Sequence, residues 1–154
     1  VGAASPLGQA VARALAADGW SVTACGRDAD RLPPPARVVD LLDPEAVRAL
    51  ADAVRTEPPD LVVWGAMSFV PAAYEREQAL EAVRLAALAP YEVGLAHLEG
   101  AARAGRSVAQ IHLADLAGDE PFLVAPAYSL GRGAGRVALR LLQRQAPPGS
   151  AVVV

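Results

Sequence analysis

Short apolar runs rich in β-branched residues alternate with longer stretches of helical periodicity along the whole chain, and that alternation is what parallel strands joined by crossover helices require. After the opening Val1-Gly-Ala-Ala-Ser-Pro-Leu-Gly8, apolar Leu7, Ala10, Val11, Ala14 and Leu15 share one face of a helix expected over Pro6–Asp18. Ser5 stands at its cap, Pro6 at its first position, and Gly19 stops it. Strands are expected over Trp20–Cys25, Ala36–Leu41, Leu61–Met67, Ser107–Leu113 and Ala151–Val154. Helices are expected over Pro44–Arg55, over Glu75–Ala104 with a break near Pro90, and over Ala127–Gln145. The fold class that follows is α/β: a doubly wound parallel sheet of the Rossmann type in three layers.

A chain of 154 residues supports one substantial core, and no shift in composition marks a second domain. Almost nothing precedes the first glycine turn and the chain stops inside a strand, so segments flanking residues 1–154 are expected. All 14 basic residues are Arg, and the chain has neither Lys nor Asn, which removes a lysine base and an asparagine from any catalytic set. A net charge of −3 with scattered arginines provides no basic stripe, so nucleic acid is not an expected partner. Cys25 is the single cysteine, which excludes an internal disulfide and fits a reducing cytoplasm. The longest apolar run, Leu61–Ala73, is short for a bilayer span and contains Pro71, so no membrane contact is expected.

The opening glycines let a chain turn from strand into helix with its backbone N–H groups and helix N-terminus close to a diphosphate; a capped helix after a turn is the competing reading. Arg27, just after the expected second strand, suits a ribose 2′-phosphate, and no acidic residue there is placed to grip a free 2′-hydroxyl. This favours NADP over NAD, with a solvated surface Arg beside Asp28 as a nearly equal alternative. Asp40-Leu41 ends the next strand, where an adenine amino group or nothing at all would meet it. Tyr128 and Arg132 lie four apart on one helical face, so the guanidinium is expected to favour the phenolate. Asp115, following a strand, is placed to accept a substrate N–H or to orient Tyr128. His97 and His112 have no partners at metal spacing, and no metal site is expected.

These motifs, in this order, resemble the short-chain dehydrogenase/reductases, and among them the pteridine reductases. The resemblance rests on Gly2-Ala-Ala-x-x-Leu-Gly8, Ala66-Met67-Ser68-Phe69-Val70-Pro71, Ala89-Pro90-Tyr91, and Asp115 thirteen residues before Tyr128, and it spans essentially the whole chain. It implies an NADP-dependent reductase of a carbonyl or C=N group in a small, pterin-like molecule. Tyr128, Arg132 and Asp115 would be the catalytic set. Gly2, Ser5, Leu7, Gly8, Arg27, Asp40, Leu41, Ala66 and Met67 would hold the cofactor, and Ser68 and Phe69 the substrate, with core filling the alternative for Phe69. The chain departs from the family with Ala86 near the usual Asn, Arg132 at the usual Lys and Pro6 at a loop glycine. Those departures motivate the alternative of a protein of this fold that binds NADP or serves a structural role without turnover. The long helix around Ala86–Ala104 and the glycine-rich Tyr128 helix are expected to form a homodimer or homotetramer contact, the glycines permitting close helix approach.

Overall fold

A computed structural model describes residues 1–67, 69 and 71–153. The helices are α1 (Pro6–Ala17), α2 (Pro44–Thr56), α3 (Arg76–Val83), α4 (Ala89–Arg103) and α5 (Pro126–Gln145), and the strands are β1 (Ala24–Gly26), β2 (Ala36–Val38), β3 (Leu61–Trp64), β4 (Ala109–His112) and β5 (Ala151–Val153). All strand pairs are parallel, β1 with β2 and β3 with β4 with β5. Val1–Ala3 joins the two groups. Val1 N donates to Val63 O at 2.6 Å and Val1 O accepts from Gly65 N at 3.0 Å, while Gly2 N and Ala3 N donate to Cys25 O. The strand order therefore reverses at Val1–Ala3, with β1 and β2 on one side and β3, β4 and β5 on the other.

Right-handed crossovers running in opposite directions from that point leave their helices on opposite faces of the sheet. One face carries α2, α4 and α5. Val47, Leu50 and Ala51 of α2 pack with Val93 and Ala96 of α4 over Trp64, and Leu98 and Ala101 of α4 pack with Leu139 and Leu142 of α5 over Val108 and Val152. Helix α1 takes the other face, which makes the expected third layer.

Helix starts follow local chemistry. Ser5 accepts from Gly8 N and Asp43 from Glu45 N, each with a proline at the first helical turn. Several expectations are corrected. The inward stripe of α1 is Gly8, Val11, Ala12 and Leu15; Leu7, Ala10 and Ala14 are exposed, and Ala12 is the one fully buried residue. The Trp20–Cys25 strand shrinks to Ala24–Gly26, because residues 20–23 have β2 on neither side and an open trough in place of a neighbour. The strand expected to Leu41 stops at Val38, and that expected to Met67 stops at Trp64. The strand end at Val154 lies outside the described residues.

The long helix breaks upstream of Pro90, as a π-turn over Arg84–Leu88. Proline has no N–H to give the carbonyl four residues back, which is that of Ala86. Gly135 of α5 packs directly on this segment and Gly131 on the end of α3: a Cβ at Gly131 would lie 2.7 Å from the Ala82 carbonyl, and one at Gly135 2.5 Å from Ala86 O. The close helix approach read from these glycines is therefore made inside the chain.

Candidate active site

The reversal of strand order creates a crevice at the carboxyl ends of the strands, where ligands of such sheets bind. Its floor is the Gly2–Gly8 turn. Gly2 has φ +82°, open to glycine at little cost, and a Cβ there would lie 2.6 Å from Ala66 N, so the turn rests on the loop after β3. The Ser5 hydroxyl donates to Gly2 O at 3.1 Å and accepts from Gly8 N at 3.0 Å, closing the turn onto the start of α1. Gly8 packs against Gly2 O too closely for a side chain. Leu7 N sits at the second helical position, where the helix supplies no acceptor, and the Leu7 side chain is exposed.

Arg27 is exposed and follows Gly26, which lies against Ala4 of the turn; β1 ends without a carboxylate. The expected Asp40-Leu41 pair separates. Asp40 is exposed and accepts from Leu42 N at 3.0 Å, whereas the Leu41 side chain is buried with Val47, Leu50 and Trp64. Only the Leu41 backbone remains for a cofactor. Ala66 is likewise largely core, and Met67 is exposed.

The opposite wall holds Tyr128, Asp115 and Arg132, the residues expected to be catalytic. The Tyr128 hydroxyl, near the start of α5, donates to Asp115 Oδ2 and lies 3.8 Å from Met67 Sδ. Phe69 meets the Tyr128 ring edge-on, with centroids 5.1 Å apart and planes at 86°. Asp115 Oδ1 accepts from Ala117 N at 3.0 Å, which orients the carboxylate. Arg132, with a side chain only 10% exposed, donates from Nη2 to Leu113 O at 2.9 Å and brings Nε to 3.5 Å from Asp115 Oδ1. Its guanidinium carbon is 5.8 Å from the Tyr128 centroid.

These contacts correct the expected electrostatics. Burial and the bond to Asp115 push the Tyr128 phenol up to about 12, and the opposing pull of Arg132 does not offset them. Tyr128 is a held proton donor rather than a ready phenolate. Arg132 spends its donors on the β4 end and Asp115, so it positions the carboxylate as much as it faces the phenol.

The structure thus brings Tyr128, Asp115, Arg132, Met67 and Phe69 together, and separately Gly2, Ser5, Leu7, Gly8, Ala66 and Arg27 around the turn. Gly2 against Ala66 joins the two groups. Ser68, expected at the substrate, lies outside the described residues. Sequence reasoning missed Arg136, whose Nη2 donates to Asp115 O at 3.3 Å and lies 2.6 Å from Asp119 Oδ2, and Ser129, whose Oγ accepts from Phe122 N at 2.8 Å. Arg136 follows Arg132 by one helical turn, a repeat that marks a shared face. Both histidines are structural. His97 Nε2 is 2.6 Å from Pro59 O, while His112 lies against Trp64 and beside Gln110, where burial lowers it to about 4. Among the described residues no group of His, Cys, Asp or Glu is arranged to hold a metal ion.

No family model matches the sequence, and no curated protein matches it significantly. Solved structures do match. A short-chain dehydrogenase from Streptomyces avermitilis superposes with a TM-score of 0.85 at 23% identity, over 99% of this chain and 61% of that one. A metagenomic short-chain oxidoreductase in complex with NADP gives 0.86 at 20% identity, over 99% of this chain and 77% of that one. An NADPH-bound short-chain oxidoreductase from Pseudomonas aeruginosa PAO1 containing an atypical catalytic center gives 0.79 at 24%, over 97% and 65%. The fold is the Rossmann-type α/β fold of these short-chain dehydrogenase structures, and the chain spans under two thirds of the Streptomyces protein.

Proposed function

We propose that this chain carries the cofactor-binding and catalytic part of an NADP-dependent short-chain oxidoreductase that reduces a carbonyl or C=N group of a small molecule. The observation that carries the reading is the Tyr128–Asp115 bond beside Met67 and Phe69, at the crevice floored by the Gly2–Gly8 turn. The residues present fit the dinucleotide: α1 offers its N-terminus and the Leu7 N–H to a diphosphate, and exposed Arg27 offers a guanidinium to a 2′-phosphate. NADP-bound structures share this fold.

NADPH supplies a hydride when bound. Tyr128 supplies the proton, which requires its O–H to leave Asp115 Oδ2 for the reduced atom. Asp115 then has a carboxylate oxygen for a substrate N–H, which suits ring nitrogens and keeps a pterin-like substrate within the proposal. Arg132 and Ala117 N hold that carboxylate in place. The exposed stripe Leu130, Val137 and Leu141 on α5 suits a second copy, and a homodimer is part of the proposal.

A specific observation favours a second reading, NADP binding without turnover: the Tyr128 O–H is engaged by Asp115 and the phenol is pushed up to about 12. The test is NADPH oxidation on a panel of carbonyl and pterin compounds by the wild type and Tyr128→Phe. Turnover lost in the variant with NADPH affinity retained supports catalysis. Turnover the variant fully keeps refutes the role of Tyr128, and tight NADPH binding with no wild-type turnover supports the second reading.

A further inference from the structure

Sulfur is scarce in this chain, which has one cysteine and one methionine among 154 residues. The two lie in opposite settings. Cys25 is buried in β1, and burial pushes its thiol up, so little of the thiolate that reacts with peroxides is present. Met67, in the loop after β3, is 42% exposed, and a thioether needs no ionisation to react.

Met67 is also held where a change at its sulfur would be felt. On one side Gly65 N donates to Val1 O at 3.0 Å and Ala66 is packed in the core; on the other Phe69 lies edge-on against the Tyr128 ring. Between those two fixed points Sδ stands 3.8 Å from the Tyr128 hydroxyl, which donates to Asp115 Oδ2. A thioether sulfur is a weak acceptor, so the carboxylate keeps the O–H. A sulfoxide is different, because it carries a polar oxygen one bond out from the sulfur and within reach of that hydroxyl.

We propose that Met67 is an oxidative modification site: a hydroperoxide converts it to the sulfoxide, and the new oxygen becomes a second acceptor for the Tyr128 hydroxyl beside Asp115. The Sδ lone pair attacks the outer oxygen of the peroxide, and the S–O bond forms as the O–O bond breaks. Sulfur loses two electrons, and the leaving oxygen takes up the proton to depart as water, or as an alcohol from an alkyl hydroperoxide. The modification rests on exposure and geometry alone. Its consequence for turnover rests on the proposed function: when the O–H leaves Asp115, a neutral carbonyl must compete for it with a sulfoxide already in place, so proton delivery slows.

The test treats the wild type and Met67→Leu with hydrogen peroxide, folded and in urea, and follows peptide masses. Met67 is expected to gain oxygen within roughly threefold of its rate in the unfolded chain, and Cys25 to react more than roughly tenfold slower than when unfolded. In protein isotope-labelled at tyrosine Cζ, the Tyr128 resonance, assigned by its loss in Tyr128→Phe, shifts on oxidation and returns when methionine sulfoxide reductases restore the thioether. NADPH oxidation falls by roughly tenfold and recovers with the same reduction, while Met67→Leu keeps its own untreated rate after peroxide. Oxidation confined to Cys25, a Tyr128 resonance that ignores a Met67 sulfoxide, turnover that survives complete oxidation, or a loss of turnover that persists in Met67→Leu overturns the proposal. A protein with no turnover before treatment counts against the proposed catalysis alone, because the masses and the resonance still decide the modification.

Discussion

Three glycines spaced two apart on α5, Gly131, Gly133 and Gly135, face different surroundings, so one substitution repeated three times should change sign. A Cβ at Gly133 finds nothing nearer than Gly118 O at 3.9 Å. Alanine there removes the helix penalty of glycine and is expected to stabilise by about 1 kcal/mol, or a midpoint rise of about 2–4 °C. At Gly135 the new carbon would lie 2.5 Å from Ala86 O, and at Gly131 2.7 Å from the Ala82 carbonyl, both backbone atoms that no rotamer change can move aside. Overpacking of this kind costs about 1–3 kcal/mol, and the helix gain of about 1 kcal/mol offsets part of it. Contacts this short on backbone fall at the upper end of that range, so a net loss of about 1–2 kcal/mol is expected at each. Because α5 also carries Tyr128 and Arg132, displacing it at Gly135 should lower turnover, whereas Gly133→Ala should leave it unchanged. Thermal and urea denaturation of the three variants, with NADPH oxidation as a second readout, check the argument. Gly135→Ala as stable as the wild type, or Gly133→Ala as damaging as Gly135→Ala, would refute it.

Arg27→Ala is expected to weaken NADPH binding by about 1–3 kcal/mol and NADH binding little, by calorimetric titration; equal losses would remove Arg27 from the 2′-phosphate. Arg132→Lys keeps the charge but cannot hold Leu113 O and Asp115 together, so it should cost about 1–2 kcal/mol in urea unfolding and slow turnover, and wild-type behaviour would refute that double tie. His112 is held neutral down to about pH 4 by burial, whereas the unfolded ring takes a proton near its ordinary value of about 6.5. Stability should therefore fall by up to about 3 kcal/mol between those pH values, and His112→Gln should flatten that part of the pH–stability curve.

What was legible in the residues was whatever depends on near neighbours in the chain. Ser5-Pro6 and Asp43-Pro44 announce helix starts that the structure keeps to the residue, because a cap is satisfied within three positions. Strand ends are different. Residues 20–23 have the composition of a strand, yet a strand exists only where another backbone answers it, and neither side of that segment does. The family resemblance implied that Asp115 and Tyr128 share a site, and the structure brings them into hydrogen-bond contact. The sign of the electrostatics was not legible, since the four-residue spacing of Tyr128 and Arg132 says nothing about Leu113 O, the acceptor that draws the guanidinium away.

Pro90 shows how a local rule acts at a distance. The missing N–H belongs to residue 90, but the carbonyl it leaves without a helical partner is that of Ala86, so the helix loosens into a π-turn before the proline. Ala86 O is also the atom that forbids a side chain at Gly135. Helix α5 lies against that turn at Gly135 and against the end of α3 at Gly131, where neither position has room for a side chain, and this seating helps set where Tyr128, one turn before Arg132, meets Asp115 in the loop after β4. A proline and two glycines thus take part in seating the helix that carries Tyr128 to Asp115.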